Sequence, residues 1–95
     1  MTYAERIEII ADACEYLNIP HEVVDICDGK QIRFPWTYGD IACHSWTYGA
    51  HSDKVESYQF PWDKGDVSVL SVGEAIAYLV DMFFGLSMSN MSAEQ

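Results

Sequence analysis

The sequence predicts a two-layer α+β domain: a helix, a four-stranded antiparallel meander and a second helix, with both helices on one face of the sheet. Three observations carry this. Apolar residues recur at three-and-four spacing near both ends of the chain. Short alternating segments bounded by Gly, Pro and Asp lie between them. One motif occurs twice in the middle, as Phe34-Pro35-Trp36-Thr37-Tyr38-Gly39-Asp40-Ile41 and as Phe60-Pro61-Trp62-Asp63-Lys64-Gly65-Asp66-Val67, with a fainter echo at Trp46-Thr47-Tyr48-Gly49. A large aromatic, a φ-locking proline and a turn glycine at the same offsets mark strand ends finished in the same way.

Thr2 is placed to cap the first helix, and Tyr3, Ile7, Ile10, Cys14 and Leu17 form its apolar face. Ile19-Pro20 ends it, because the residue before proline avoids helical backbone. Glu5, Glu8, Asp12 and Glu15 repeat on the far side as a stripe of one sign, with only Arg6 nearby to offset their repulsion.

His21 to Asp28 alternates as a first strand, and Asp28-Gly29 signals a hairpin. Lys30 to Trp36 returns as the second strand, with Ile32, Phe34 and Trp36 on one face. Thr37 to Asp40 turns the chain into a third strand, Ile41 to Thr47, and a loop over Tyr48 to Asp53 leads to a fourth, Lys54 to Trp62. Prolines 35 and 61 lie at strand ends, where a missing donor is tolerated. Asp63 to Asp66 leads out of the sheet. Ser71-Val72-Gly73-Glu74 matches a capping box, which starts the second helix near Val72, and Gly85 stops it. That helix is apolar almost all round, so it is buried on more than one side or completes a homodimer contact. Residues 1–86 form the single domain and 87–95 a flexible tail.

The chain has 95 residues, with 15 acidic against 5 basic side chains and a formal net charge of −10. Such a domain repels the phosphate backbone and anionic membranes, which argues against direct binding to nucleic acid or lipid. The favoured partners are cationic, above all a basic protein surface. Three scattered cysteines and no apolar leader point to a reduced, cytoplasmic protein. The apolar run from Ala75 to Gly85 is too short to span a bilayer.

No catalytic constellation, cofactor motif or metal-ligand spacing stands out. His21, His44 and His51 are scattered, and there is no phosphate-cradling glycine loop or nucleophile elbow. Cys43 and His44 are adjacent on a strand and point to opposite faces, so His44 must serve another cysteine or a carboxylate. The antiparallel order brings Trp36, Asp40, Trp62 and Asp66 to one end of the sheet, a grouping with the chemistry to receive a cation. The competing structural account has both tryptophans capping the core and both aspartates bonding turn amides.

These observations suggest a non-enzymatic acidic interaction protein that binds and occludes a basic, nucleic-acid-binding surface of a larger protein, as a mobile-element-encoded inhibitor would. Glu5, Glu8, Asp12, Glu15, Trp36, Asp40, Trp62 and Asp66 are its candidate contact residues. The alternative is a homodimeric small-molecule or nucleotide-binding module with an aromatic pocket.

Overall fold

A computed structural model describes the backbone of residues 1–63 and 65–93 and the side chains of residues 1–63 and 65–85. The chain runs α1 (Tyr3–Tyr16), β1 (Glu22–Ile26), β2 (Gly29–Arg33), β3 (Asp40–His44), β4 (Lys54–Tyr58), β5 (Val67–Ser71) and α2 (Val72–Ala93). All strand pairs are antiparallel and follow chain order, so the sheet is a five-stranded meander.

Helix α1 begins at a capping box: the Glu5 amide donates to Thr2 Oγ1 at 3.1 Å, and the Thr2 amide donates to Glu5 Oε1 at 3.4 Å. It ends with Asn18 in the left-handed region at φ 58°. The Asn18 amide donates to the Glu15 carbonyl and the Ile19 amide to the Cys14 carbonyl. This is a Schellman closure in which asparagine stands where glycine is usual. Ile19 then buries its side chain.

The expected count of four strands is corrected to five. Gln59, at φ 60°, turns the chain back, and its amide donates to the Asp66 carbonyl at 3.0 Å. Val67 therefore pairs with Tyr58, and Val67–Ser71 forms an edge strand instead of a linker. Ser71 is both the last strand residue and the cap of α2: the Glu74 amide donates to Ser71 Oγ, and the Ser71 amide donates to Glu74 Oε1, each at 3.1 Å. Those bonds hold the Glu74 carboxyl below its ordinary range. A strand that abuts a helix cap without a loop reads in sequence like part of the helix entry.

Strands β2 and β4 are shorter than expected because Phe34 and Phe60 already open turns. The Thr37 amide donates to the Phe34 carbonyl at 3.2 Å and the Asp63 amide to the Phe60 carbonyl at 3.0 Å. The repeated motif is thus the same β-turn twice, with proline at its second position and tryptophan at its third. The first hairpin turns at Cys27 and Asp28, one residue earlier than expected, and Gly29 lies inside β2. Only glycine fits there, since a Cβ would meet the Cys43 carbonyl oxygen at 2.4 Å. Helix α2 continues past Gly85 to Ala93. The flexible tail expected over 87–95 falls on side chains, and at 94 and 95 on backbone, outside the described residues.

One core joins the inward faces of both helices and the sheet: Ile7, Ile10 and Cys14 of α1, Ile32, Ile41, Cys43, Val55 and Leu70 of β2–β5, and Ala75 and Leu79 of α2. The strand members share one parity, so both helices cover the same sheet face. Phe34 and Phe60 close its end, with ring centroids 5.8 Å apart. Each fully buried aliphatic or aromatic side chain contributes about 1.5–3 kcal/mol.

Inside this core lies a cation. Arg6 is 1% exposed, and all five of its N–H donors find acceptors. Nε donates to the Met1 carbonyl at 3.2 Å, Nη1 to Cys43 Sγ and the Lys54 carbonyl, each at 3.2 Å, and Nη2 to the carbonyls of Met1 and Gly49. None of these acceptors is a carboxylate. The guanidinium ties α1 to both ends of the β3–β4 connection. Arg6 therefore faces the core, and the expectation that it offsets the acidic stripe is corrected.

Arg6→Ala should lower unfolding stability by about 2–4 kcal/mol, because three carbonyls lose a buried partner at once. Arg6→Lys should recover little, since an ammonium cannot span the same fork of acceptors. Urea denaturation of the three proteins checks both expectations. Wild-type stability in the Lys variant would show that charge alone suffices.

Candidate functional site

The strand residues of opposite parity form the face that neither helix covers. Gln31 of β2, Asp40, Ala42 and His44 of β3, Glu56 and Tyr58 of β4, and Val67 and Val69 of β5 alternate onto it, with Ala42 directly opposite Gln31 and Glu56. A cavity of about 350 Å³ opens here, lined by Ile26, Gln31, Asp40, Ala42, His44, Tyr58, Gln59 and Asp66.

Glu56 organises this face. Its side chain is only 15% exposed, and both its oxygens are engaged: His44 Nδ1 lies 3.3 Å from Oε1, and the Tyr58 hydroxyl donates to Oε2. Burial, and then the bond to Glu56, push the Tyr58 phenol above the usual tyrosine range. Tyr58 is thereby held as a neutral donor. Burial and the same carboxylate also raise the Tyr48 phenol. The His44 ring lies 5.4 Å from that of Trp46, which is 73% exposed. Trp46 occupies the third position of a further turn, closed by the Thr47 amide on the His44 carbonyl at 3.3 Å. This echo of the repeat lacks the Phe-Pro that anchors the other two in the core.

The grouping of Trp36, Asp40, Trp62 and Asp66 holds along the strands and splits across them. Arg33, Asp40, Tyr58 and Val67 are successive partners, so the four residues do lie at one end of the sheet. Both tryptophans, however, pack on the helix side. Trp36 Nε1 donates to the Pro20 carbonyl at 2.9 Å, and its ring lies 5.2 Å from that of Phe83. Trp62 Nε1 donates to Ser57 Oγ at 3.0 Å, and its ring stacks between Phe60 and Tyr78. The fully buried Ser57 hydroxyl donates to Asp63 Oδ2, which also accepts from the Phe60 amide. Asp40 and Asp66 instead line the cavity on the other face. A joint Trp/Asp site is therefore corrected to an aspartate pair facing Tyr58, because alternate residues of a pleated strand point apart.

Glu5, Glu8, Asp12 and Glu15 are all exposed along α1. Among the described residues none of them forms an ion pair, and Glu5 serves the capping box as well. Lys30 is held by Asp25 at 2.9 Å. Cys43 points into the core, away from His44, as alternation requires. Its thiol is raised by burial, with the Arg6 guanidinium acting in the opposite sense. Glu56 and Gln59 were not singled out from the sequence. The two-residue spacing of Glu56 and Tyr58 places them on one face, but only the cross-strand register brings His44 to them.

None of the protein-family models, curated proteins or solved structures compared with this chain matches it.

Cys27 is exposed, whereas Cys14 and Cys43 are buried. A thiol reagent at pH 8 should therefore label one cysteine quickly and the other two only at the rate of unfolding. Two fast thiols would contradict the packing. Burial pushes the Cys14 thiol from its ordinary 9.0 to about 11. The unfolded chain thus ionises first, and this contribution to stability is complete below pH 9.0 and lost as the pH rises toward about 11. A Cys14→Ala variant should flatten that part of the stability profile in alkaline urea titrations.

Proposed function

We propose that this chain is a non-enzymatic acidic interaction protein that binds a basic, nucleic-acid-binding surface of a larger protein and occludes it, in the manner of a mobile-element-encoded inhibitor. The observation that carries this reading is the fate of Arg6. The one cation positioned in sequence to offset the α1 stripe is buried in the core, bound to carbonyls. Glu5, Glu8, Asp12 and Glu15 consequently face solvent, and among the described residues none of them is ion-paired. The chain carries 15 acidic and 5 basic side chains in all, a formal charge of −10. A uniform field of this kind accelerates encounter with a basic partner and selects against nucleic acid itself.

A second reading, a small-molecule module, is favoured by the open-face cavity and by the groove between Pro61, Trp62, Tyr78, Asp81 and Met82 beside α2. It requires a homodimer through α2 or the open sheet face. A solution mass that stays monomeric at all concentrations would count against it.

Affinity for the basic partner should fall steeply with ionic strength, and the partner's nucleic acid should compete for it. Glu8→Lys combined with Asp12→Lys should weaken the complex at least about tenfold at low salt, since like charges then meet across the contact. Isothermal titration over a salt series reads both effects. Binding that ignores salt and survives the reversal would remove the electrostatic basis of the reading.

A further inference from the structure

We propose that β5 is the seam of a homodimer, in which two copies of this chain pair antiparallel, edge to edge, through Val67 and Val69, so that two five-stranded sheets become one. The inference does not rest on the reading above. Helix α1 packs on β2 and β3, so the seam leaves its acidic stripe free for a partner.

The phase of the β4–β5 ladder decides which backbone groups are free. Bonded and non-bonded positions alternate along an antiparallel pair. The Gln59 amide donates to the Asp66 carbonyl and the Val72 amide to the Asp53 carbonyl, and both bonds keep the register in which Tyr58 faces Val67 and Lys54 faces Ser71. Ser68 and Leu70 therefore bond to β4, while the N–H and C=O groups of Val67, Val69 and Ser71 point away from the sheet. The Ser71 amide is taken by Glu74 Oε1. Those of Val67 and Val69 lie on the last strand of the sheet, and among the described residues nothing bonds to them.

An open edge is ordinarily blunted by charge, proline, a bulge or a covering element. The opposite edge follows that rule: β1 carries Glu22 and Asp25, and Asp25 is paired to Lys30 at 2.9 Å. β5 reads Val-Ser-Val-Leu-Ser, keeps an unbroken register with β4, and leaves Val67 45% and Val69 53% exposed. It has the free ladder groups and the apolar side chains that another strand would cover.

The strand that fits is a second copy of β5. A two-fold axis through Ser68 sets Val67 opposite Val69 of the other copy and Val69 opposite its Val67, so every free amide meets a free carbonyl. The valines of both copies then cover one another on the open face. On the helix side the central pair is Ser68 with its own equivalent, two small side chains that let the helix layers approach and can bond hydroxyl to hydroxyl. Charge does not oppose the contact. Asp66 falls opposite Leu70 of the other copy, which puts the two Asp66 side chains about 13 Å apart at about 3.3 Å per residue, beyond the screening length of about 8 Å at physiological salt. A basic strand, by contrast, would find no carboxylate along Val67–Ser71 to attract it.

The test combines solution mass by sedimentation equilibrium, from micromolar to millimolar protein, with amide hydrogen exchange across the same range. The mass should rise toward twice that of the chain, and the Val67 and Val69 amides, unprotected in the dilute protein, should gain protection in step with it. Val69→Pro removes an amide that makes no bond to β4, so it should abolish the dimer while the other amide positions stay unchanged. Val69→Lys, which places a charge on the edge without altering the backbone, should weaken the dimer by at least about tenfold. A wild-type mass that stays monomeric throughout would overturn the seam, as would Val67 and Val69 amides that exchange freely in the dimer. A dimer that survives both substitutions would also overturn it and place the contact on α2 or on the open sheet face. Neither result bears on the salt dependence of binding through α1.

Discussion

The buried guanidinium of Arg6 is the constraint on which the rest of the structure depends. An arginine cannot shed its charge, so its removal from water must be matched donor by donor. Here the match is made by main-chain carbonyls from the N-terminus, the β3–β4 connection and the start of β4, plus the Cys43 sulfur. Without the guanidinium those carbonyls would lose their charged donor. One side chain thus satisfies a loop that makes few backbone bonds of its own and fastens α1 across the sheet. It also explains the surface: burying one of the few cations leaves the acidic stripe without an internal neutraliser.

The twice-repeated motif does related work at the far end. In both copies proline presets the turn, the preceding phenylalanine enters the core, and the tryptophan folds back over it with its indole N–H bonded, to Pro20 in one case and to Ser57 in the other. The glycines differ in their reasons. Gly39 lies against the Phe60 ring, where a Cβ would come within 2.4 Å, whereas Gly65 has φ 68° in open space. Similar sequence therefore records similar turn geometry, and the two aspartates that follow reach the opposite face because strand pairing resumes immediately after each turn.

Much of the architecture was legible because it is local. Capping boxes at Thr2 and Ser71, the apolar stripe of α1, the proline-marked turns and the alternation of Ile32, Ile41, Cys43 and Val55 are all decided within a few residues. The fifth strand was not legible. Five residues with serines at 68 and 71 carry too weak an alternation beside a helix cap, and it is the left-handed Gln59, closing on Asp66, that turns them back into the sheet. The site was legible only in part. Asp40 and Asp66 were found through topology, Trp36 was rightly aligned with Ile32 and Phe34 but grouped with the aspartates across the sheet from it, and Glu56 passed as an ordinary polar strand residue.

From sequence alone came the class of fold, the acidity that restricts the partners, and the exposure of Glu5, Glu8, Asp12 and Glu15 on one side of a helix. Each depends on composition or on the period of a single element. The tertiary structure alone decided that Arg6 turns inward, that Trp36 and Trp62 lie back to back with Asp40 and Asp66 across the sheet, and that His44, Glu56 and Tyr58 meet on the uncovered face. Those outcomes rest on strand register and on which sheet face the helices occupy. Both are set by contacts between residues far apart in the chain, so the pattern around any one of them does not carry the answer.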